Sequence, residues 1–260
     1  MTQKIAPKYV VPNLVTLVGL SFGMVAIARS LEHDFATACW WIVLCTLFDK
    51  LDGFAARRLH AESEFGVQMD SLSDLVTFCV SPAVLLLAVS RAAPAGSAHW
   101  TATATLTAAL AFVAAGALRL ARFNVHTDEG DPTCFQGFPT TFCGGLLAVL
   151  YLVAARHGQA ELWLRAAPIA YVGLAILMVS SVPVPKFRKA SNPLINGVIM
   201  VNLVGAYVVG LLRVVPEYLL ALIATYLVFG GGWVWVSRLR GRSCPDAGPA
   251  AGSDRDGTIS

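Results

Sequence analysis

Long apolar stretches constrain this chain more than any other feature. Of its 260 residues, 56% are hydrophobic and 13% are charged, which is typical of an integral membrane protein rather than of a soluble domain. A helix needs about 20 apolar residues to cross the hydrocarbon core of a bilayer. The pattern predicts an all-α integral membrane protein with about eight transmembrane helices. These helices are expected at residues 12–31, 35–59, 66–90, 100–124, 140–156, 162–182, 194–213 and 216–237.

The connections between these stretches are short, which favours one membrane domain over residues 1–242. The remaining residues, 243–260, are rich in Gly, Pro, Ala, Ser and Asp, and we expect them to be disordered. Lys4 and Lys8 precede the first apolar stretch without a clear cleavage site, so that stretch is predicted to stay as an uncleaved signal anchor.

An even number of helices places both chain termini on one side of the membrane. If that side is the cytoplasm, the inner segments carry most of the Lys and Arg residues, as the positive-inside rule requires. We therefore expect a multi-pass protein of the cell (inner) membrane with cytoplasmic termini. The net charge of +3 is small, and since no nucleic-acid-binding module is visible, we expect no nucleic-acid partner.

Four aspartates lie inside two of the apolar stretches, where carboxylates are costly and usually functional. Asp49 and Asp52 are spaced i, i+3, and Asp70 and Asp74 are spaced i, i+4, so each pair occupies one face of a helix. The polar turn between the two helices is short, which predicts an antiparallel hairpin. The hairpin brings the four side chains around one point near the cytoplasmic surface.

Four carboxylates this close cannot all stay ionised without a counter-charge. Clustered oxygen ligands suit Mg²⁺, Ca²⁺ or Mn²⁺, whereas the lack of Cys and His on these faces argues against zinc. Two-metal carboxylate sites commonly act on phosphate or pyrophosphate groups. The alternative is that the acids cap helices or pair with Lys50, Arg57 and Arg58.

The full pattern is Asp49-x2-Asp52-Gly53-x2-Ala56-Arg57-x8-Gly66-x3-Asp70-x3-Asp74. It resembles the complete signature of the CDP-alcohol phosphatidyltransferases. The resemblance implies that family's fold, a homodimer, and Mg²⁺ or Mn²⁺ (one or two ions) on the four aspartates. It also implies that Asp74, with Asp70 beside it, is catalytic. The residues expected to bind nucleotide or phosphate are Asn13 and Thr16, in a Pro-Asn-x-x-Thr motif, with Gly53, Ala56, Arg57 and Gly66.

Three further segments resemble the bacterial phosphatidylserine synthase branch of that family. They are Leu118–Asn124 (LRLARFN), Phe135–Pro139 (FQGFP) and Met178–Phe187 (MVSSVPVPKF). The resemblance implies that CDP-diacylglycerol and L-serine are the substrates, with the lipid held in the bilayer. The chain departs from the branch at Val184, where Tyr is common, and at Phe142–Gly145, where Ala is expected.

The basic residues of these segments have two interpretations each. Arg119 and Arg122 share a helix face and either follow the positive-inside bias or hold a phosphate or carboxylate. Lys186 and Arg188 either belong to an ordinary basic loop or bind the lipid phosphate or the serine carboxylate.

Two alternatives to serine transfer remain from the sequence. Within the family, the acceptor alcohol can be glycerol phosphate, inositol phosphate or choline. In a different class, carboxylates within the membrane occur in cation-coupled transporters. A transporter predicts inverted repeats, and no repeat is visible in the chain.

Overall fold

The structure, a computed structural model, describes residues 10–58, 64–94, 100–125, 134–185 and 193–228. These residues form helices, together with one small pair of strands. The helices are α1 (Val10–Leu31), α2 (Phe35–Arg58), α3 (Glu64–Asp74), α4 (Ser81–Ala92), α5 (Ala102–Val125), α6 (Thr140–Arg156), α7 (Ala160–Val179), α8 (Pro193–Leu212) and α9 (Pro216–Tyr226). The strands are β1 (Cys134–Gln136) and β2 (Pro183–Pro185), which pair antiparallel. The predicted tail at 243–260 lies outside the described residues.

Four helical segments are long and apolar enough to cross a membrane: Asn13–Leu31, Glu64–Ala92, Ala102–Val125 and Ala160–Val179. Shorter apolar helices cover Phe35–Asp49, Thr140–Arg156 and Asn196–Leu212. The chain is therefore a helical, multi-pass membrane protein. A helix occupies each of the eight predicted intervals, but whether all eight cross the bilayer stays a prediction.

The turn between α1 and α2 is closed by local polar contacts. The Thr37 backbone N–H donates to Asp34 Oδ1 at 3.3 Å, so Asp34 caps α2. Arg29 and Glu32 form an exposed ion pair at 2.8 Å. Because this turn is tight, α1 and α2 pack side by side along their length.

A π-helical segment, Leu75–Val80, joins α3 to α4 without breaking the helix. At its end, the Ser81 backbone N–H donates a hydrogen bond to the Val76 carbonyl, five residues earlier. Pro82 explains the segment, because proline has no N–H and its ring clashes with the carbonyl four residues earlier in a regular helix. The wider π turn accommodates Pro82 without a break in the helix.

The centre of the protein is a core formed mainly by α2, α4, α5, α6 and α7. Tyr171 is fully buried, and its hydroxyl donates to the Pro82 carbonyl at 2.6 Å. The Tyr171 ring also meets Phe112 edge to face, with centroids 5.1 Å apart. This contact ties α7 to both α4 and α5, and the core thereby supports the end of the π segment.

Candidate active site

The acidic cluster consists of three carboxylates from two helices. Asp49 comes from α2, and Asp70 and Asp74 come from consecutive turns of α3. One carboxylate oxygen from each residue lies within 4.8 Å of the other two, and all three side chains are half-buried. The structure therefore brings together three of the four aspartates that the sequence predicts to meet.

The geometry and chemistry of this cluster fit a hard divalent cation. Two oxygens bound to the same Mg²⁺ at about 2.1 Å each are at most about 4.2 Å apart. Carboxylates within 4.8 Å of one another therefore fit one shared ion or two adjacent ions after small side-chain adjustments. Held in half-buried positions on apolar helices, three like charges repel one another strongly, and a bound cation relieves that repulsion.

Several predicted site residues lie outside the described part of the structure. Asp52, Gly53, Ala56 and Arg57 belong to α2, whose backbone is described there but whose side chains are not. Lys186 and Arg188 lie outside the described residues altogether. Their predicted roles stay predictions.

The residues predicted on α1 lie beside α3. Thr16 is buried, and its carbonyl accepts a hydrogen bond from Ser73 Oγ at 3.3 Å. Ser73 immediately precedes Asp74, so the Pro-Asn-x-x-Thr stretch that contains Asn13 is held next to the acidic pair. Gly66 is half-buried one turn before Asp70.

Arg119 is the buried cation nearest to this cluster among the described residues. It is only 7% exposed, and its Nε has no hydrogen-bond partner among them. It lies within electrostatic range of Asp74. A buried guanidinium N–H without a partner is costly, and a bound phosphate or carboxylate would satisfy it.

Arg122 makes contacts of a different kind. Its guanidinium donates to the Val179 carbonyl at 2.9 Å and to the Ser180 carbonyl at 3.5 Å. These carbonyls end α7, where cations stabilise the unpaired C-terminal groups of a helix. Arg122 thus attaches the end of α5 to the loop that leads from α7 into β2.

The β1–β2 ribbon joins the two other segments that the sequence singled out. Gln136 pairs with Pro183, and the Gly137 N–H donates to the Val182 carbonyl at 2.9 Å. Gly137 has a φ of +76° and lies against the Met178 carbonyl, where no side chain fits. The segments 118–124 and 135–139, distant in sequence, therefore both contact the segment 178–185, and the first of them also contacts α3.

Sequence reasoning missed a polar network between α3 and α5. Asn124 Nδ2 donates to Ser71 Oγ at 2.9 Å and to Gln68 Oε1 at 3.3 Å. Ser71 lies next to Asp70 but off the acidic face, and serine in an apolar helix commonly bonds only to its own backbone. Asn124 ends the LRLARFN segment, which was the one available signal.

Comparison with known proteins identifies the family of this chain. A model of the CDP-alcohol phosphatidyltransferase family matches residues 9–180, which is more than half of the chain, and the chain belongs to that family. Its similarity extends to curated relatives. The CDP-diacylglycerol–serine O-phosphatidyltransferase of Helicobacter pylori is 33% identical over 186 residues, which are 71% of this chain and 76% of the relative.

Two further relatives are similarly distant. The CDP-diacylglycerol–serine O-phosphatidyltransferase of Bacillus subtilis is 32% identical over 179 residues, covering 69% of this chain and 92% of the relative. The archaetidylserine synthase of Methanothermobacter thermautotrophicus is 31% identical over 189 residues, covering 71% of this chain and 73% of the relative. Membership of a transferase family leaves no role for the transporter alternative.

Proposed function

We propose that this protein transfers the phosphatidyl group of CDP-diacylglycerol to L-serine, giving phosphatidylserine and CMP in phospholipid biosynthesis. The observation that carries the proposal is the cluster of Asp49, Asp70 and Asp74 in a chain of the CDP-alcohol phosphatidyltransferase family. The names of all three relatives include serine. The segments 118–124 and 135–139, which resemble the phosphatidylserine synthase branch and both contact 178–185, support the same acceptor.

In the proposed reaction, the serine hydroxyl oxygen forms a bond to the phosphorus that carries diacylglycerol. The bond from that phosphorus to the CMP oxygen breaks, and CMP leaves as a phosphate monoester. Asp74 accepts the hydroxyl proton, because a carboxylate within reach of the attacking oxygen is a suitable general base. Asp70 and Asp49 complete the acidic cluster around Asp74.

The acidic cluster, with Asp52 as a fourth ligand, is proposed to bind one or two Mg²⁺ or Mn²⁺ ions. Bound there, such ions neutralise charge on the pyrophosphate and on the departing CMP. The protein's own cations then bind the other charged groups. Arg57 and the small residues Gly53, Ala56 and Gly66 are proposed to receive the nucleotide with Asn13 and Thr16. Arg119, Lys186 and Arg188 are proposed for the lipid phosphate or the serine carboxylate.

Arg119 has the strongest support of these basic residues. Its buried Nε has no partner among the described residues, and its guanidinium interacts electrostatically with Asp74, which suits a carboxylate or phosphate oxygen. Arg122 is already engaged with the end of α7, so we propose that it shapes the serine site through the ribbon loop.

The membrane arrangement is part of the proposal. One domain over residues 1–242 spans the cell (inner) membrane, with both termini and the active site on the cytoplasmic side and the protein acting as a homodimer. A site at the membrane–water boundary lets the acyl chains of CDP-diacylglycerol stay in the bilayer while serine and CMP exchange with water.

The test is CMP release by the purified protein from CDP-diacylglycerol, with and without L-serine, in Mg²⁺, in Mn²⁺ and in chelator. We expect serine-stimulated release that the chelator and Asp74→Asn both abolish. Asp34→Asn is the matched control, because Asp34 is an exposed helix cap and Asn caps helices equally well. Release stimulated by glycerol phosphate, inositol phosphate or choline but not by serine would overturn the acceptor. No release at all would overturn the reaction.

A further inference from the structure

Helix α8 lies beyond residues 9–180, the part of the chain that the family model matches. It nevertheless packs directly against α2, which carries Asp49. Tyr207 and Gly210 are one turn apart on α8 and so share one of its faces. Both residues meet the same residue of α2, Leu47.

Gly210 allows a close approach of the two helices. It is buried, and a β-carbon there would lie 2.6 Å from Leu47 Cδ1 and 3.7 Å from Val43 Cγ1. Small residues at helix interfaces in membranes bring backbones close together. The close packing at Gly210 brings the half-buried Tyr207 into reach of the α2 backbone.

The Tyr207 hydroxyl donates to the Leu47 carbonyl at 2.8 Å. A helical carbonyl has a second lone pair and can accept a side-chain donor beside its helical bond. Carbonyls point towards the C-terminal end of a helix, so the hydroxyl lies level with the turn that contains Asp49. The Asp49 carboxylate is close enough to act electrostatically on this hydroxyl.

We infer that Tyr207 is a positioning residue for the metal site: through the Leu47 carbonyl it holds the Asp49 turn of α2 at the distance from Asp70 and Asp74 that a divalent cation requires. This inference rests on the metal site proposed above. Asp49 is the member of the cluster supplied by a different helix from the other two, so the position of α2 decides whether the three oxygens converge.

The test compares two tyrosines of the same region. Tyr207→Phe removes only the hydroxyl that reaches α2. Tyr218→Phe is the matched control: this half-buried tyrosine donates to Asn202 Oδ1 at 3.1 Å and so joins α9 to α8, without contact to α2 through its hydroxyl. Both variants keep the aromatic ring and therefore the apolar packing.

The readout is Mn²⁺ binding to the full-length, chelator-treated protein in detergent, measured by electron paramagnetic resonance without substrates. We expect Tyr207→Phe to raise the Kd for Mn²⁺ roughly tenfold, the lower end of the effect of losing a partner of a metal ligand, because Tyr207 bonds to the backbone two residues before Asp49 and not to the ligand itself. Tyr218→Phe should leave the Kd unchanged. The metal concentration for half-maximal CMP release should rise in parallel, with kcat recovered at saturating Mn²⁺.

Equal Kd values for Tyr207→Phe and the unchanged protein would overturn the inference and leave the proposed function intact. Equal losses in both tyrosine variants would also overturn it, because they would indicate general loosening of α8. If the unchanged protein bound no Mn²⁺, the proposed metal site would fail and this inference with it. The serine-dependent assay tests the reaction separately.

Discussion

Gly144 on α6 lies directly against the backbone of Phe78 in the π segment. A β-carbon on Gly144 would sit 2.6 Å from the Phe78 carbonyl oxygen and 2.9 Å from its Cα. That carbonyl is the one that Pro82, four residues later, cannot bond. The absence of a side chain at Gly144 thus gives the widened helical turn after Asp74 the space it occupies.

We expect Gly144→Ala to destabilise the protein by about 1–3 kcal/mol, as overpacking a tight contact usually does. The measurement is thermal unfolding in detergent, together with CMP release, which should also fall because Asp74 adjoins the displaced segment. Gly173→Ala on α7 is the control, since nothing lies within 4 Å of its β-carbon position. Equal melting temperatures for the two variants would contradict the expectation.

Gly137 and Gly158 offer a second matched pair. Both have positive φ, +76° and +68°, so alanine at either position costs about 1 kcal/mol or more in backbone strain. Only at Gly137 does the new β-carbon meet another part of the chain, the Met178 carbonyl. We expect both variants to lose stability but only Gly137→Ala to raise the KM for serine, as it pushes the ribbon away from α7. A similar rise in Gly158→Ala would refute this assignment.

Substitutions of Arg119 and Arg122 should affect activity and thermal stability to different extents. Arg119→Gln removes a buried cation whose Nε has no partner among the described residues, so we expect an unchanged or higher melting temperature. Activity should fall roughly 100-fold or more if the guanidinium binds a reacting anion. Kinetics with serine and a thermal melt measure both effects.

Arg122→Gln should lower thermal stability more than it lowers kcat. It removes the charge-assisted hydrogen bond to the Val179 carbonyl, worth about 1.5–3 kcal/mol, and the longer, weaker contact with the Ser180 carbonyl. We expect a lower melting temperature and a higher KM for serine with a smaller loss of kcat. A stable but inactive Arg122→Gln would instead place this residue in contact with substrate.

The contact of Ser71 with Asn124 predicts a milder effect. Ser71→Ala removes one of the two hydrogen-bond acceptors of Asn124 Nδ2, leaving Gln68 Oε1, and should cost about 1 kcal/mol. Ser21→Ala is the control, because the Ser21 hydroxyl bonds only to the carbonyl of Leu17 on its own helix, as far as the described contacts show. Thermal unfolding of the two variants decides whether the link between α3 and α5 has the expected strength.

The meeting of Asp49 with Asp70 and Asp74 could be predicted because helical periodicity and a short polar turn determine which faces of two adjacent helices converge. From the sequence, Pro82 indicates that the helix is irregular near this residue. It does not show whether the irregularity is a kink or a π turn, since both accommodate proline. The β1–β2 ribbon has three-residue strands, too short to produce an alternating pattern. Tyr207 bonds to a carbonyl 160 positions earlier, and no local pattern reveals such a contact.

The π segment has a consequence for comparing this chain with others. A π turn holds about one residue more than an α turn and rotates the residues after it by about 100°. It therefore acts as a one-residue insertion between the acidic face of α3 and the buried face of α4. A relative with an uninterrupted α-helix there would superimpose on both halves only with a single-residue gap inside Leu75–Val80.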